Sequence, residues 1–132
     1  MSIRIAAAMG LAVTAALACV SPASAAPSEH SNAPCFFISQ WQGWTAPSAD
    51  VLYLGVNLHD VYRVDLSVGS PELQAPDVHL VSVSRGSSSI CGPLDLDLKV
   101  ADLGGFSSPL IAKKLTKLTP EEVAAIPRKY RP

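Results

Sequence analysis

Three runs of the chain alternate between apolar and polar residues, and this period of two limits the fold more than any other feature. The runs are "VLYLGVNL" at 51–58, "VYRVDLSV" at 61–68 and "LDLDLKV" at 94–100. Because successive side chains of a β-strand point to opposite faces, each run predicts a strand with one buried face. The expected inward-facing residues are Leu52, Leu54, Val56, Leu58, Tyr62, Val64, Leu66, Val68, Leu94, Leu96, Leu98 and Val100.

The connections between these runs and two other apolar segments predict further parts of a sheet. Only "HD" separates the first two runs, which favours an antiparallel hairpin. "CFFIS" at 35–39 and "VHLVSVS" at 78–84 are rich in β-branched or aromatic residues, which is typical of strands. "LIAKKLTKL" at 110–118 is predicted as a last, edge strand, because lysines discourage pairing with a second sheet.

Two segments are predicted to lack strand structure. In "QWQGWTAPSAD" at 40–50, Gly43 and Pro47 favour a loop. "GSPELQAPD" at 69–77 is a turn-rich connection for the same reason.

The segment "TPEEVAAI" at 119–126 predicts a short helix. Thr119 would be the N-cap, Pro120 the first helical residue, and Glu122 the partner that completes a capping box. Pro127 would end the helix after about two turns. The predicted fold is therefore mainly β: a small antiparallel sandwich or half-open barrel of about six strands, with a short C-terminal helix.

The first 25 residues have the features of a signal peptide. Arg4 precedes an apolar run over 5–20, and Ala23 and Ala25 form the A-x-A pattern that signal peptidase cleaves. Two alternatives stay open, a retained N-terminal anchor and lipid attachment at Cys19. The predicted organisation is a signal peptide at 1–25, a flexible leader at 26–34 and one β-rich domain at 35–132, with no transmembrane segment after cleavage.

After such cleavage only Cys35 and Cys91 would remain. An even number of cysteines in an exported chain predicts a disulfide, here closing a loop of about 56 residues. A reactive thiol beside a histidine and a zinc site are the alternatives. Nothing in the sequence places His30, His59 or His79 near Cys35, and there is no C-x-x-C or H-x-x-x-H spacing.

The charge of the chain argues against a polyanion as its partner. Its 10 basic and 11 acidic residues nearly balance. The basic excess lies at the C-terminal end, at Lys113, Lys114, Lys117, Arg128, Lys129 and Arg131. We interpret this end as solvated, or as paired with the more acidic body of the domain, and expect no nucleic-acid partner.

No motif in the chain predicts an enzyme, and we expect no catalytic residue, no metal and no cofactor. The sequence has no G-x-S-x-G, P-loop or dinucleotide-binding fingerprint. Asp95 and Asp97 would share a strand face and, with Asp102, could hold a hard cation or act as an acid–base pair. Lys99 lies on the same face, so solvated carboxylates are the preferred interpretation.

Trp41 and Trp44 are the candidate binding residues. Both could cap the core beside the Cys35 strand. Alternatively, at least one is exposed and marks a binding patch, because tryptophan is enriched at interface hot spots.

The spacing of several short motifs resembles that of a family of small exported proteobacterial proteins of unknown function. The motifs are "CF" followed by a tryptophan, "LYL", "YRVDL", "IC" before an alternating strand, and "LTKLTPEEVAAIP", together spanning nearly all of 35–127. The resemblance implies a secreted, disulfide-stabilised β domain and transfers no activity. It also implies a second cysteine pair, matched here by Ser70 and by Ser107 or Ser108, whose Cα atoms should then lie within bridging distance.

The function expected from the sequence is that of an exported domain of the cell envelope, periplasmic or secreted. It would be non-enzymatic and would act by binding, for example to another envelope protein, or as a structural accessory. The alternative is a secreted enzyme inhibitor that acts through the tryptophan-containing loop at 40–50.

Overall fold

The computed structural model of the protein describes residues 35–83 and 88–132. Within these ranges the chain forms eight strands and one α-helix. The predicted signal peptide, the leader and Cys19 lie outside the described residues. The elements are β1 (Phe36–Phe37), β2 (Trp41–Ser48), β3 (Val51–Val56), β4 (Asp60–Leu66), β5 (Val78–Ser82), β6 (Ser89–Ile90), β7 (Asp97–Asp102), β8 (Ser107–Lys117) and α1 (Pro120–Ala125), with 3-10 turns at Ile38–Gln40, Pro71–Gln74, Pro93–Asp95 and Arg128–Tyr130.

Six strands form one antiparallel sheet in the order β2-β3-β4-β8-β7-β5, which curves into a nearly closed, barrel-like shape. β1 and β6 form a separate two-stranded sheet. The predicted class, mainly β with a half-open barrel and a short C-terminal helix, is confirmed. The concave side holds the core, which includes Leu52, Leu54, Val56, Tyr62, Val64, Leu98, Val100 and Leu115.

The predicted hairpin is confirmed as β3 and β4, whose pairing runs from Val51 opposite Asp65 to Val56 opposite Asp60. The prediction of inward-facing residues is wrong at the ends of these strands. Leu58 is 81% exposed because β3 ends at Val56 and Asn57 turns the chain with a φ of 52°. Val68 is exposed because β4 ends at Leu66.

In the run at 94–100 the predicted inward orientation is confirmed for Leu96, Leu98 and Val100, which are all buried. It is wrong for Leu94, which is 95% exposed. Pro93 begins a 3-10 turn over Pro93–Asp95, so this part of the run has no strand geometry and its side chains do not alternate.

The prediction that β8 is an edge strand is wrong, because it lies at the centre of the sheet. Residues 107–111 pair with β7, and residues 112–117 pair with β4. Where the partner changes, a bulge places Lys113 between two ladder pairs, Leu66 with Ala112 and Asp65 with Lys114. A bulge adds one residue to one strand, so Lys113 and Lys114 are both exposed while Ala112 and Leu115 stay buried.

The prediction of a loop over 40–50 is also wrong, because β2 is an eight-residue strand paired with β3. Its position explains how Gly43 and Pro47 are accommodated. β2 is an edge strand, and its pairing is irregular between Trp41 and Gly43 and again between Thr45 and Ser48. A proline on an edge or in a bulge removes no hydrogen bond from a ladder.

A disulfide joins Cys35 to Cys91, with the Cα atoms 4.2 Å apart, so the predicted bridge is confirmed. It lies directly beside the small sheet, in which Phe36 pairs with Ile90. The strand predicted over 35–39 is shorter than expected, since the chain enters a 3-10 turn at Ile38. Phe36 is buried, and its ring centre lies 4.6 Å from that of Tyr62. The bridge thus fixes one end of the core.

The predicted C-terminal helix and its capping box are confirmed. The backbone N–H of Glu122 donates to the Thr119 hydroxyl, and the N–H of Thr119 donates to the Glu122 carboxylate at 2.8 Å. After the helix, the chain packs on the outer side of β2 and β3. A side chain built at Gly55 would meet the Pro132 ring at 3.4 Å, so glycine permits this close approach.

Candidate functional site

Trp41 and Trp44 lie on the edge strand β2, and both are half-buried against the core. The indole N–H of Trp41 donates to the carbonyl oxygen of Gly43 at 2.8 Å. Of the two interpretations of Trp41 and Trp44, capping of the core agrees with their packing. Both residues are also partly exposed. The inhibitor hypothesis assumed a loop at 40–50, whereas 41–48 is a strand.

The three aspartates that could have formed a cation site are not brought together. One oxygen of Asp95 accepts hydrogen bonds from the backbone N–H groups of Cys91 and Gly92, each at 2.9 Å. Asp102 accepts from the N–H of Phe106 at the β7–β8 turn. Asp95 lies in a 3-10 turn, so the prediction that it shares a strand face with Asp97 is wrong. These carboxylates stabilise turns.

The rest of the described residues also contain no cation site. Residues 35–83 and 88–132 contain no group of three or more His, Cys, Asp or Glu side chains that could hold a metal ion. His59 lies in the exposed β3–β4 turn and His79 on β5, while both described cysteines are in the disulfide.

The basic C-terminal end contacts its own domain. Lys117 forms an ion pair with Asp60 at 2.8 Å, and this hydrogen bond raises the pKa of the lysine. Arg131 donates to the carbonyl oxygens of Ile126 and Ala124, at 2.9 and 2.6 Å. Cationic groups are favourable at a helix C-terminus, where carbonyls lack helical partners. Of the two interpretations of this end, pairing with the acidic body describes Lys117, whereas Arg131 pairs with main-chain carbonyls instead.

The C-terminal segment covers the outer side of one half of the barrel. The C-terminal segment packs on β2 and β3, where Thr45 donates to the carbonyl of Tyr130. On the side of β5, β7 and β8, the 3-10 turn Pro93–Asp95 contacts β8. We call their outer surface the open face; by the strand register its residues are His79, Val81, Val83, Asp97, Lys99, Ala101, Ser107, Pro109 and Ile111.

The open face exposes apolar side chains beside a groove. Ile111 is 63% and Val81 38% exposed. The groove has a volume of about 470 Å³ and is lined by Val83, Ser89, Pro93, Leu94, Asp95, Leu96, Asp97, Pro109, Leu110, Ile111 and Ala112. Apolar side chains exposed beside a groove are a feature that some interaction sites share. The open face is therefore the candidate functional site.

Sequence reasoning did not find this surface. The orientation of Ile111 depends on the pairing of β8 with two strands, and the exposure of Leu94 depends on the turn that begins at Pro93. One signal was present: "KK" interrupts the alternation of "LIAKKLTKL", and two adjacent polar residues there are typical of a bulge.

None of the helices in the described ranges is long and apolar enough to cross a membrane. Comparisons with protein-family models, with curated proteins and with solved structures found no match to this chain.

Proposed function

We propose that this chain is an exported, non-enzymatic domain of the cell envelope that acts by binding or as a structural accessory. The disulfide between Cys35 and Cys91 is the observation that carries the proposal. Structural disulfides persist in oxidising compartments such as the periplasm and the extracellular space, and are rare in the cytosol. The signal-peptide pattern at 1–25 supports the same location.

The chemistry of the described residues supports binding rather than catalysis. The carboxylates of Asp95 and Asp102 are used to hold turns, and Asp60 is paired with Lys117. The open face, by contrast, presents exposed Ile111 beside a groove that includes exposed Leu94. Such a surface favours contact with another macromolecule over conversion of a small molecule.

Export is tested by expressing the full chain in a Gram-negative host and sequencing the N-terminus of the product from the periplasm and medium. We expect a sequence that begins at Ala26 or Pro27. A product that stays in the cytoplasm, or one that begins at a lipid-modified Cys19, would contradict a soluble exported domain.

Binding is tested by capture from envelope extract, using the wild-type protein and variants as bait. Ile111→Asp places a charge on the open face, and Leu58→Asp places one on the exposed β3–β4 turn as a matched control. We expect the wild type and L58D to capture the same partner and I111D to lose it. Equal capture by all three proteins would exclude the open face as the binding surface.

We retain the resemblance to the family of exported proteins as a proposal, and one pair of residues tests it. Ser70 is buried, and Ser108 lies opposite Val100 on the core-facing side of β8. Ser107 points to the outer side, opposite Ala101. If the resemblance is correct, the variant S70C/S108C should form a second disulfide, and S70C/S107C should stay reduced at these positions. If thiol titration finds both variants reduced, the second cysteine pair that the resemblance implies is wrong for this chain.

A further inference from the structure

In the described part of the chain, no strand pairs with the outer edge of β5, and the backbone groups along this edge are regularly spaced. β5 pairs with β7 in an unbroken register, and the N–H of Val83 donates to the carbonyl of Asp97 at 2.8 Å. In an antiparallel ladder, alternate residues direct both backbone groups to the same neighbour. His79 and Val81 therefore bond to β7, as Val83 does. The N–H and C=O groups of Val78, Leu80 and Ser82 point to the free edge.

The other edge of the sheet is protected in ways that β5 is not. β2 contains Pro47 and two irregularities in its pairing, and the side-chain amide of Gln74 donates to the carbonyl of Ala46 at 2.9 Å. Prolines, bulges and covering groups all discourage pairing with another chain. β5, with the sequence "VHLVS", has no proline, no lysine and no bulge. An edge with a regular register and no Asp, Glu, Lys or Arg favours the addition of a strand.

We propose that two copies of the chain pair antiparallel through β5, about a two-fold axis at Leu80. In this register Leu80 of each copy exchanges backbone hydrogen bonds with Leu80 of the other, and Val78 pairs with Ser82. These are the residues whose backbone groups point to the free edge, so the edge is complementary to itself. The pairing joins the two sheets and does not depend on the proposed function.

The side chains of β5 agree with a second copy as the occupant. β5 carries no Asp, Glu, Lys or Arg, so pairing it with itself opposes no like charges. On the open face His79 of each copy lies opposite Val81 of the other, in the closely spaced type of antiparallel pair. The exposed part of Val81 is then covered by its neighbour, and the two open faces form one continuous surface.

The first test is the oligomeric state of the full chain by sedimentation equilibrium. We expect a dimer at micromolar to submillimolar concentration. Ser82→Pro removes an N–H that points to the free edge and leaves the ladder with β7 intact. The S82P dimer lacks one hydrogen bond at each of the two ends of the interface. Its dissociation constant should therefore rise about tenfold or more. A monomer over the whole range, or an unchanged dimer in S82P, overturns the proposal.

The second test measures the register and does not depend on how well S82P folds. All proteins carry Cys19→Ser, so that the added cysteine is the only one outside the disulfide between Cys35 and Cys91. A mixture of H79C and V81C chains should form an intermolecular disulfide on mild oxidation, because positions 79 and 81 of different copies face each other. Neither variant alone should cross-link to the same extent. Equal cross-linking in all three samples, or none in the mixture, overturns the β5 pairing.

Discussion

The hydroxyl of Thr45 donates a hydrogen bond to the main-chain carbonyl of Tyr130, a residue 85 positions later. This contact joins an edge strand of the sheet to the C-terminal segment. The Pro132 ring lies against Gly55 on the neighbouring strand, so the segment crosses the outer side of two strands. The end of the chain is therefore part of the folded structure, and changes to it should alter the free energy of unfolding.

Arg131→Ala should lower the free energy of unfolding by about 1–2 kcal/mol. The substitution removes the hydrogen bonds from the guanidinium to the carbonyls of Ile126 and Ala124. Urea denaturation followed by circular dichroism measures the change. Arg128→Ala is the matched control, since that exposed side chain makes neither contact, and it should change the free energy by less than about 0.5 kcal/mol. An equal loss of unfolding free energy in both variants would mean that the effect comes from the removed positive charge and not from the two hydrogen bonds.

Removal of the disulfide should cost about 4 kcal/mol, because the loop between Cys35 and Cys91 spans 56 positions. The variant C35A/C91A should unfold at lower urea concentration than the oxidised wild type. Dithiothreitol should destabilise the wild type by a similar amount and leave the variant unchanged. If dithiothreitol lowers the stability of both proteins equally, its effect does not come from this bridge.

Deletion of Lys113 should be tolerated, although it lies in a central strand. The bulge holds one extra residue at this position, so its removal gives a regular ladder in which Ala112 and Leu115 still face the core. Deletion of Ile111 is the control, because it makes the buried residues Leu110 and Ala112 neighbours in sequence, and neighbours in a strand cannot both face the core. Thermal unfolding should show a cooperative transition for the first deletion only. Loss of the transition in both would mean that the bulge itself is required.

Stability should fall at alkaline pH through Tyr62 and Lys117. Burial raises the pKa of Tyr62, and the hydrogen bond with Asp60 raises the pKa of Lys117. A group whose pKa is raised in the folded state contributes its full stabilisation at pH values below its pKa in the unfolded chain, which is about 10 for tyrosine and 10.4 for lysine. This stabilisation is lost as the pH rises through the pKa of the folded state.

The melting temperature of the wild type should therefore be constant near pH 8–9 and fall above about pH 10. The variant Y62F/K117M, which cannot titrate at either position, should begin with a lower melting temperature and show a shallower fall. Parallel curves for the two proteins from pH 8 to 11 would show that other groups cause the alkaline loss.

The sequence predicted the elements that depend on local pattern and missed those that depend on distant pairing. Alternation identified β3, β4 and β7, since one face of each packs on the core. Gly43 and Pro47 wrongly indicated a loop, because no local signal shows that β2 is an irregular edge strand. The central position of β8 could not be predicted, since its two partners are set by the arrangement of the whole sheet.

The sequence predicted the disulfide but not the candidate site. The pairing of Cys35 with Cys91 followed from their number and the predicted export. The tryptophans drew attention by residue type, and they pack against the core. The open face contains no residue type that attracts attention in a sequence. Ile111 becomes exposed only through the register of β8 with β7, which no local pattern determines.

The central position of β8 has a consequence for the order in which the barrel can assemble. Of the strands in the described residues, β8 is the last along the chain, yet it lies between β4 and β7. A ribosome or a translocation channel releases the strands in sequence, so the sheet cannot be completed until Lys117 has emerged. Contacts this distant in sequence are associated with slow folding. Until then β4 and β7 each present an unpaired edge, and a chaperone that holds the emerging chain would protect both.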